Sequence, residues 1–140
     1  MEASQANTRL QVVEAPKDCG NAPRKMVIRD VLVAIAECDH KALTEFLRED
    51  IRWEIVGSER LTGLDQIRNW VLRQRLVAEL HISTVITHGT DCGADGWIIY
   101  SNGTTTRFSH IVVFAGHSKS AKIKALRSYL IDTSDTLPTT

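Results

Sequence analysis

The sequence lacks most of the features that announce a function. It has no excess charge: seventeen Lys and Arg stand against seventeen Asp and Glu. The electrostatic footprint of a nucleic-acid or anionic-membrane binder is therefore missing. Cysteine is scarce. Cys19, Cys38 and Cys92 are unevenly spaced with no CxxC pair, which excludes a disulfide framework and offers no zinc signature. No apolar run approaches membrane-spanning length, and Met1 to Ala6 is polar where a secretory leader needs an apolar stretch. There is no internal repeat and no glycine-rich phosphate loop. These absences point to a soluble, cytoplasmic protein with no metal or organic cofactor. Its expected partner is a small, mainly apolar ligand, with no nucleic acid and no membrane.

What is present divides into a helical half and a strand half. The 140 residues fit one domain, set at residues 21–132 between an N-terminal arm (1–20) and a polar C-terminal tail (133–140). The arm has one apolar patch, Leu10 to Val13, and reads as flexible or as a short strand laid on the domain. Pro23 suits a first helical turn, where its missing N–H costs nothing. Ile28, Val31, Leu32 and Ile35 then recur at i, i+3, i+4 and i+7, which predicts a helix to about Glu37. Asp39 is placed to cap a short second helix that buries Ala42, Leu43, Phe46 and Leu47. Ile51 to Val56 alternates as a strand, with Ile51, Trp53 and Ile55 on one side. Gly57-Ser58 ends it, and Thr62 with Asp65 resembles a capping box for a third helix running to about Ala78. Arg68, Arg73 and Arg75 form that helix's solvated side.

Beyond residue 80 the chain alternates. Leu80–His88, Gly96–Ser101, Thr105–Ala115 and Lys122–Ile131 read as strands. Between them lie three turn-rich stretches: residues 88–96, the Asn102-Gly103 pair, and residues 115–122. Asn-Gly is a strong hairpin signal, and no connector is long enough for a helical crossover, so these strands form an antiparallel meander. The whole describes an α+β fold: three helices packed on a strongly curved, mainly antiparallel sheet, a cone-shaped barrel with a cavity at its open end. On the third of the four strands Phe108, His110, Val112 and Phe114 share a face. A titratable imidazole in such a stripe is either a satisfied core histidine or a group presented to a cavity, where it suits acid–base work. His81 and His88, seven apart, fall on opposite faces and make poor joint metal ligands. Cys38 reads as a small core residue, and Tyr100 as packing or a pocket donor. Ile111, Val113, Ile123, Ala125 and Ile131 make an apolar outer surface, which predicts an isologous homodimer through the outer sheet face.

The run Ala36-Glu37-Cys38-Asp39-His40-Lys41-Ala42-Leu43, then Phe46-Leu47 and Trp53-Glu54-Ile55-Val56-Gly57-Ser58-Glu59, resembles the nuclear transport factor 2-like superfamily, which includes ketosteroid isomerases and SnoaL-like polyketide cyclases. The resemblance covers about residues 23–132. It implies the cone fold, but not one activity, because the fold hosts isomerases, hydrolases, cyclases, dehydratases and proteins with no chemistry. It also places Glu54 at the catalytic carboxylate of ketosteroid isomerases and His110 at their oxyanion donor. Val31 stands where those enzymes have a tyrosine, so half of the oxyanion arrangement is missing. Alternation along the strand instead leaves Glu54 outside the core. The resulting expectation is a small-molecule-binding cone with isomerase, lyase or hydrolase chemistry, Glu54 as base and His110 as proton donor. The ligand would be walled by Ile28, Val31, Leu32, Ile35, Ile67, Trp70, Val71, Phe108, Val112, Leu126 and Leu130, with Ser128 as one polar contact. The alternatives are a non-catalytic ligand-binding protein, or a protein-interaction module acting through the outer sheet face.

Overall fold

A computed structural model describes residues 9–14 and 22–133. The elements in chain order are β1 (Gln11–Glu14), α1 (Ala22–Glu37), α2 (His40–Phe46), β2 (Leu47–Ile55) and β3 (Glu59–Thr62), then α3 (Leu64–Leu72), β4 (Val77–His88), β5 (Asp91–Tyr100), β6 (Thr105–Phe114) and β7 (Ile123–Thr133). The strands form one seven-stranded sheet in the order β1-β4-β5-β6-β7-β2-β3. β4 to β7 are the antiparallel meander that the short connectors require. β1 with β4 and β2 with β7 are parallel pairs. Three helices on a curved, mainly antiparallel sheet make this the expected α+β cone.

Local chemistry sets the helix ends. α1 closes where Cys38 takes a left-handed conformation (φ 57°), the position at which glycine usually ends a helix. There the Asp39 N–H donates to the Ala34 carbonyl at 2.9 Å and the Cys38 N–H to that of Ile35 at 3.2 Å. Asp39 then caps α2, its carboxylate accepting from the Ala42 N–H at 3.1 Å. The chain passes from Phe46 into β2 without a connector. Tyr100 and Thr104 close the Asn102-Gly103 hairpin, with Gly103 at φ 88° and the Asn102 carboxamide accepting from the Thr104 N–H at 3.0 Å.

Several boundaries depart from the sequence expectation. The central strand starts at Leu47, and Glu59–Thr62, read as turn and cap, is a strand paired antiparallel with β2. The capping box is not made: Gly63 holds the N-cap without a side-chain bond, and the Gln66 carboxamide accepts from the Thr62 N–H at 2.8 Å. α3 stops at Leu72 rather than near Ala78, because Val77 onward is drawn into the ladder with β5. β5 starts at Asp91, five residues before the expected Gly96, since β4 and β6 flank it along its length. Within the arm, Gln11–Glu14 is a strand on β4, the second of the two readings of that segment; residues 1–8 and 15–20 lie outside the described residues. An irregularity in β4 between Ile82 and Thr84 puts His81 and His88 on the same face, not opposite ones. Ile123, assigned to the outer surface, is fully buried (0 % exposed), because the register shifts between Val113 and Phe114.

Helix and inner-sheet side chains meet in one core that runs from Ile28, Val31 and Leu43 through Trp53, Ile67 and Trp70 to Phe108, Val112 and Leu126. Trp53 and Trp70 pack edge to face with ring centres 5.0 Å apart, joining β2 to α3.

Candidate functional site

A cavity of roughly 100 Å³ lies between the second half of α1, α3 and the inner face of the sheet. Leu32, Ile35 and Ala36 supply one wall, Trp70 and Val71 a second. Leu80, Ile98, Phe108, His110 and Leu130 form the floor, and Val77 and Trp53 also reach it. Its exposed edge is polar, formed by Cys38, Gln74, Arg75 and Asp132 with the inward Tyr100 and Thr106 behind them. Most of the wall thus comes from apolar periodicity, and the polar edge from the points where α1, α3 and β7 run out.

His110 is a buried imidazole on the cavity floor. Its ring stacks on Phe108 with centres 4.7 Å apart. Phe108 in turn lies over Gly96, where an added Cβ would sit 3.0 Å from the Phe ring and 1.9 Å from the His81 carbonyl oxygen. A glycine in mid-strand is therefore what lets the aromatic stripe lie flat. Nδ1 of His110 is 2.7 Å from the Ser128 hydroxyl, which also accepts from the Trp53 indole N–H at 2.7 Å. Burial pushes the His110 pKa down to about 4, so the ring is neutral near pH 7.

At the cavity edge the Arg75 guanidinium lies over the Tyr100 ring at 4.0 Å and donates to Asp132 at 3.2 Å and to the Thr104 hydroxyl at 3.0 Å. The Thr106 hydroxyl donates to Asp132 at 2.6 Å. The Thr106 bond foremost, with Arg75 adding to it, holds the Asp132 carboxyl below its usual range. The Cys38 thiol points across the gap between α1 and α3, 3.7 Å from the Val71 carbonyl, and burial pushes its pKa up.

The structure divides the expected site. Leu32, Ile35, Trp70, Val71, Phe108, Leu130 and His110 do line one cavity. Ile28, Val31, Ile67 and Val112 are sealed in the core behind it, and Leu126 is buried in the ladder beside Trp53. Ser128 stands one step back, occupied by Trp53 and His110 rather than presented to a ligand. Glu54 is on the other side of the sheet. It lies 3.7 Å from Arg60 in a groove with Arg52, Ile111, Val113, Ala125 and Arg127. The placement of Glu54 as a base beside His110 is therefore corrected: Trp53 occupies the inward position, as strand alternation implied, and Glu54 cannot share a ligand with His110. Cys38, read as core, is exposed at the cavity edge. Arg75 and Asp132 lie outside the site expected from sequence. Asp132 carries a signal, since Leu126, Ser128 and Leu130 continue to it at period two up to the expected domain boundary. Arg75, expected on the solvated side of a longer helix, lies beyond the end of α3.

No protein-family model matches the chain, and no curated protein does. Solved structures do. An NTF-2 like protein of unknown function from Burkholderia xenovorans LB400 aligns with a TM-score of 0.69 at 17% identity, over 82% of this chain and 88% of that one. A putative ketosteroid isomerase from Kribbella flavida DSM 17836 aligns with a TM-score of 0.62 at 13% identity, over 84% of each chain. An LEH-like epoxide hydrolase from M. tuberculosis aligns at 0.58 and 19% identity, over 78% of this chain and 83% of that one. The fold is that of the nuclear transport factor 2-like superfamily. At these identities the likeness concerns the fold alone.

Proposed function

We propose that the chain binds a small, mainly apolar molecule in the cavity between α1, α3 and the sheet, and does so as a binding protein rather than as an acid–base enzyme. The observation that carries this reading is the separation of the two groups the chemistry would need. His110 sits neutral in the cavity, while Glu54 pairs with Arg60 behind the sheet. Enzymes that move protons beside an apolar substrate set an acid and a base on one ligand. Asp132 is the carboxylate at the cavity edge, and Thr106 and Arg75 already engage it. The volume sets the ligand's size. Ligand pockets usually measure about 300–1,000 Å³, and an apolar cavity of about 150 Å³ accepts benzene. A cavity of roughly 100 Å³ therefore suits a molecule of about four or five non-hydrogen atoms, far smaller than a steroid. With a ceiling near 1.5 kcal/mol per atom, its affinity is micromolar at best.

The test is a thermal-shift panel of hydrocarbons, ketones and alcohols of that size, followed by turnover assays on every binder. Saturable stabilisation by some of them, lost in His110→Ala and Leu32→Trp and kept in Glu54→Gln, is the expected result. Turnover of a binder that disappears in Asp132→Asn would instead make the protein an enzyme with its base at the cavity edge.

We further propose that the outer sheet face pairs two copies of the chain in a homodimer. This is supported by Ile86, Tyr129 and Ile131, which are 60 %, 41 % and 64 % exposed, beside the partly buried Ile111 and Val113.

A further inference from the structure

The buried chain Trp53–Ser128–His110 has a direction. An indole N–H can only donate, so the Ser128 oxygen accepts from Trp53. Ser128 is 0 % exposed, and its hydroxyl proton must be placed inside the protein. Among the described residues its second partner is His110 Nδ1, at 2.7 Å. Were Nδ1 protonated, the Ser128 oxygen would accept twice and its own proton would be left without an acceptor. The satisfied arrangement is Trp53 N–H to Ser128 oxygen, then Ser128 O–H to His110 Nδ1. That leaves the proton of the neutral ring on Nε2, which has no protein partner among the described residues, in a side chain that lines the cavity.

We infer that Trp53 and Ser128 are positioning residues that hold His110 as the Nε2–H tautomer, so that the cavity prefers a ligand with an acceptor oxygen, such as a small ketone, over a hydrocarbon of the same shape. The inference rests on the reading of the cavity as a ligand site, and it names the chemical class that the site selects. The stack on Phe108 fixes the ring plane, and the Ser128 bond fixes its rotation. A donor held this way acts without an ordering cost when the ligand arrives. Burial acts in the same direction by keeping the ring uncharged.

The experiment uses the full-length, ¹⁵N-labelled chain and two probes of about five non-hydrogen atoms, cyclobutanone and methylenecyclobutane, which differ in C=O against C=CH₂. Long-range ¹H–¹⁵N spectra report the tautomer before any ligand is added. The expected result is a pyrrole-type Nε2 and a pyridine-type Nδ1 for His110; a protonated Nδ1 overturns the relay. Titration should then show cyclobutanone binding about fivefold to tenfold more tightly than methylenecyclobutane, the worth of one neutral hydrogen bond. Equal affinity overturns the selectivity. Trp53→Phe keeps an aromatic ring but frees the Ser128 hydroxyl to turn, so both tautomers should populate and the ratio of ketone to hydrocarbon affinity should fall towards one. A parallel fall for both probes would mean that Trp53 is only a wall, and would overturn its positioning role. Binding of neither probe with the Nε2–H tautomer intact would sink the cavity reading, and the selectivity with it, while upholding the relay.

Discussion

At the scale of single residues, Trp53 and Glu54 show how far the sequence can be read. Alternation along β2 placed Trp53 inward and Glu54 outward, and the structure agrees, because a side-chain period of two leaves no other choice once Ile51 and Ile55 are buried. The resemblance to ketosteroid isomerases implies the opposite, with Glu54 inside; a one-residue offset is enough to exchange the faces. The partnership of Ser128 with Trp53, 75 positions away, was not legible at all, since it depends on β2 lying parallel to β7. Ser128→Ala should cost about 2–4 kcal/mol, as it strands the Trp53 N–H and His110 Nδ1 in the core. Urea unfolding of the variant beside Ser128→Thr measures it; an unchanged midpoint would contradict the network. His110 also ties stability to pH. Its folded pKa of about 4 lies below the ordinary 6.5, so between those values the unfolded chain binds a proton that the folded chain does not. Stability is then highest above about pH 6.5 and falls as the pH drops towards 4, by about 3 kcal/mol in all. Arg75 and Asp132 are the charged groups on the same cavity, and Asp132 titrates below this window. Denaturation midpoints from pH 7.5 to 4 should fall less in His110→Gln than in the wild type; parallel curves would contradict the assignment.

Among the elements, α1 and α2 were readable almost to the residue, because apolar spacing and the Asp39 cap are local signals. β3, the start of β5 and the end of α3 were not. Asp91 to Gly96 is poor in strand-forming residues, and only the long neighbours on either side hold it extended. Gly96 is where that compromise serves the site, since no side chain fits between the His81 carbonyl and the Phe108 ring. Gly96→Ala should lower stability by about 2 kcal/mol or more, because the obstructing atom is backbone and cannot step aside. A urea midpoint at the wild-type value would show that β4 and β5 can separate there freely. The meander itself was legible, since short connectors between strands permit only antiparallel neighbours.

For the molecule as a whole, the cone was legible from element order, and about half of the cavity wall from helix and strand periodicity. The polar edge was not, because Cys38, Arg75 and Asp132 meet only where separate elements end. The homodimer belongs to this scale. Light scattering at high micromolar concentration should report twice the 15.6 kDa chain mass, and Ile131→Asp should shift it towards monomer; a monomeric wild type would contradict the pairing. The most direct test of the ligand site exploits the two faces of β6, which place Phe108 and His110 on one side and Ile111 and Val113 on the other. Cyclobutanone titrated into methyl- and aromatic-labelled wild-type protein should shift the signals of Leu32, Val71, Phe108, His110 and Leu130 saturably. Ile111, Val113 and Ala125, in the outer groove, should stay in place. Shifts confined to the outer set, or none at millimolar ligand, would contradict the account.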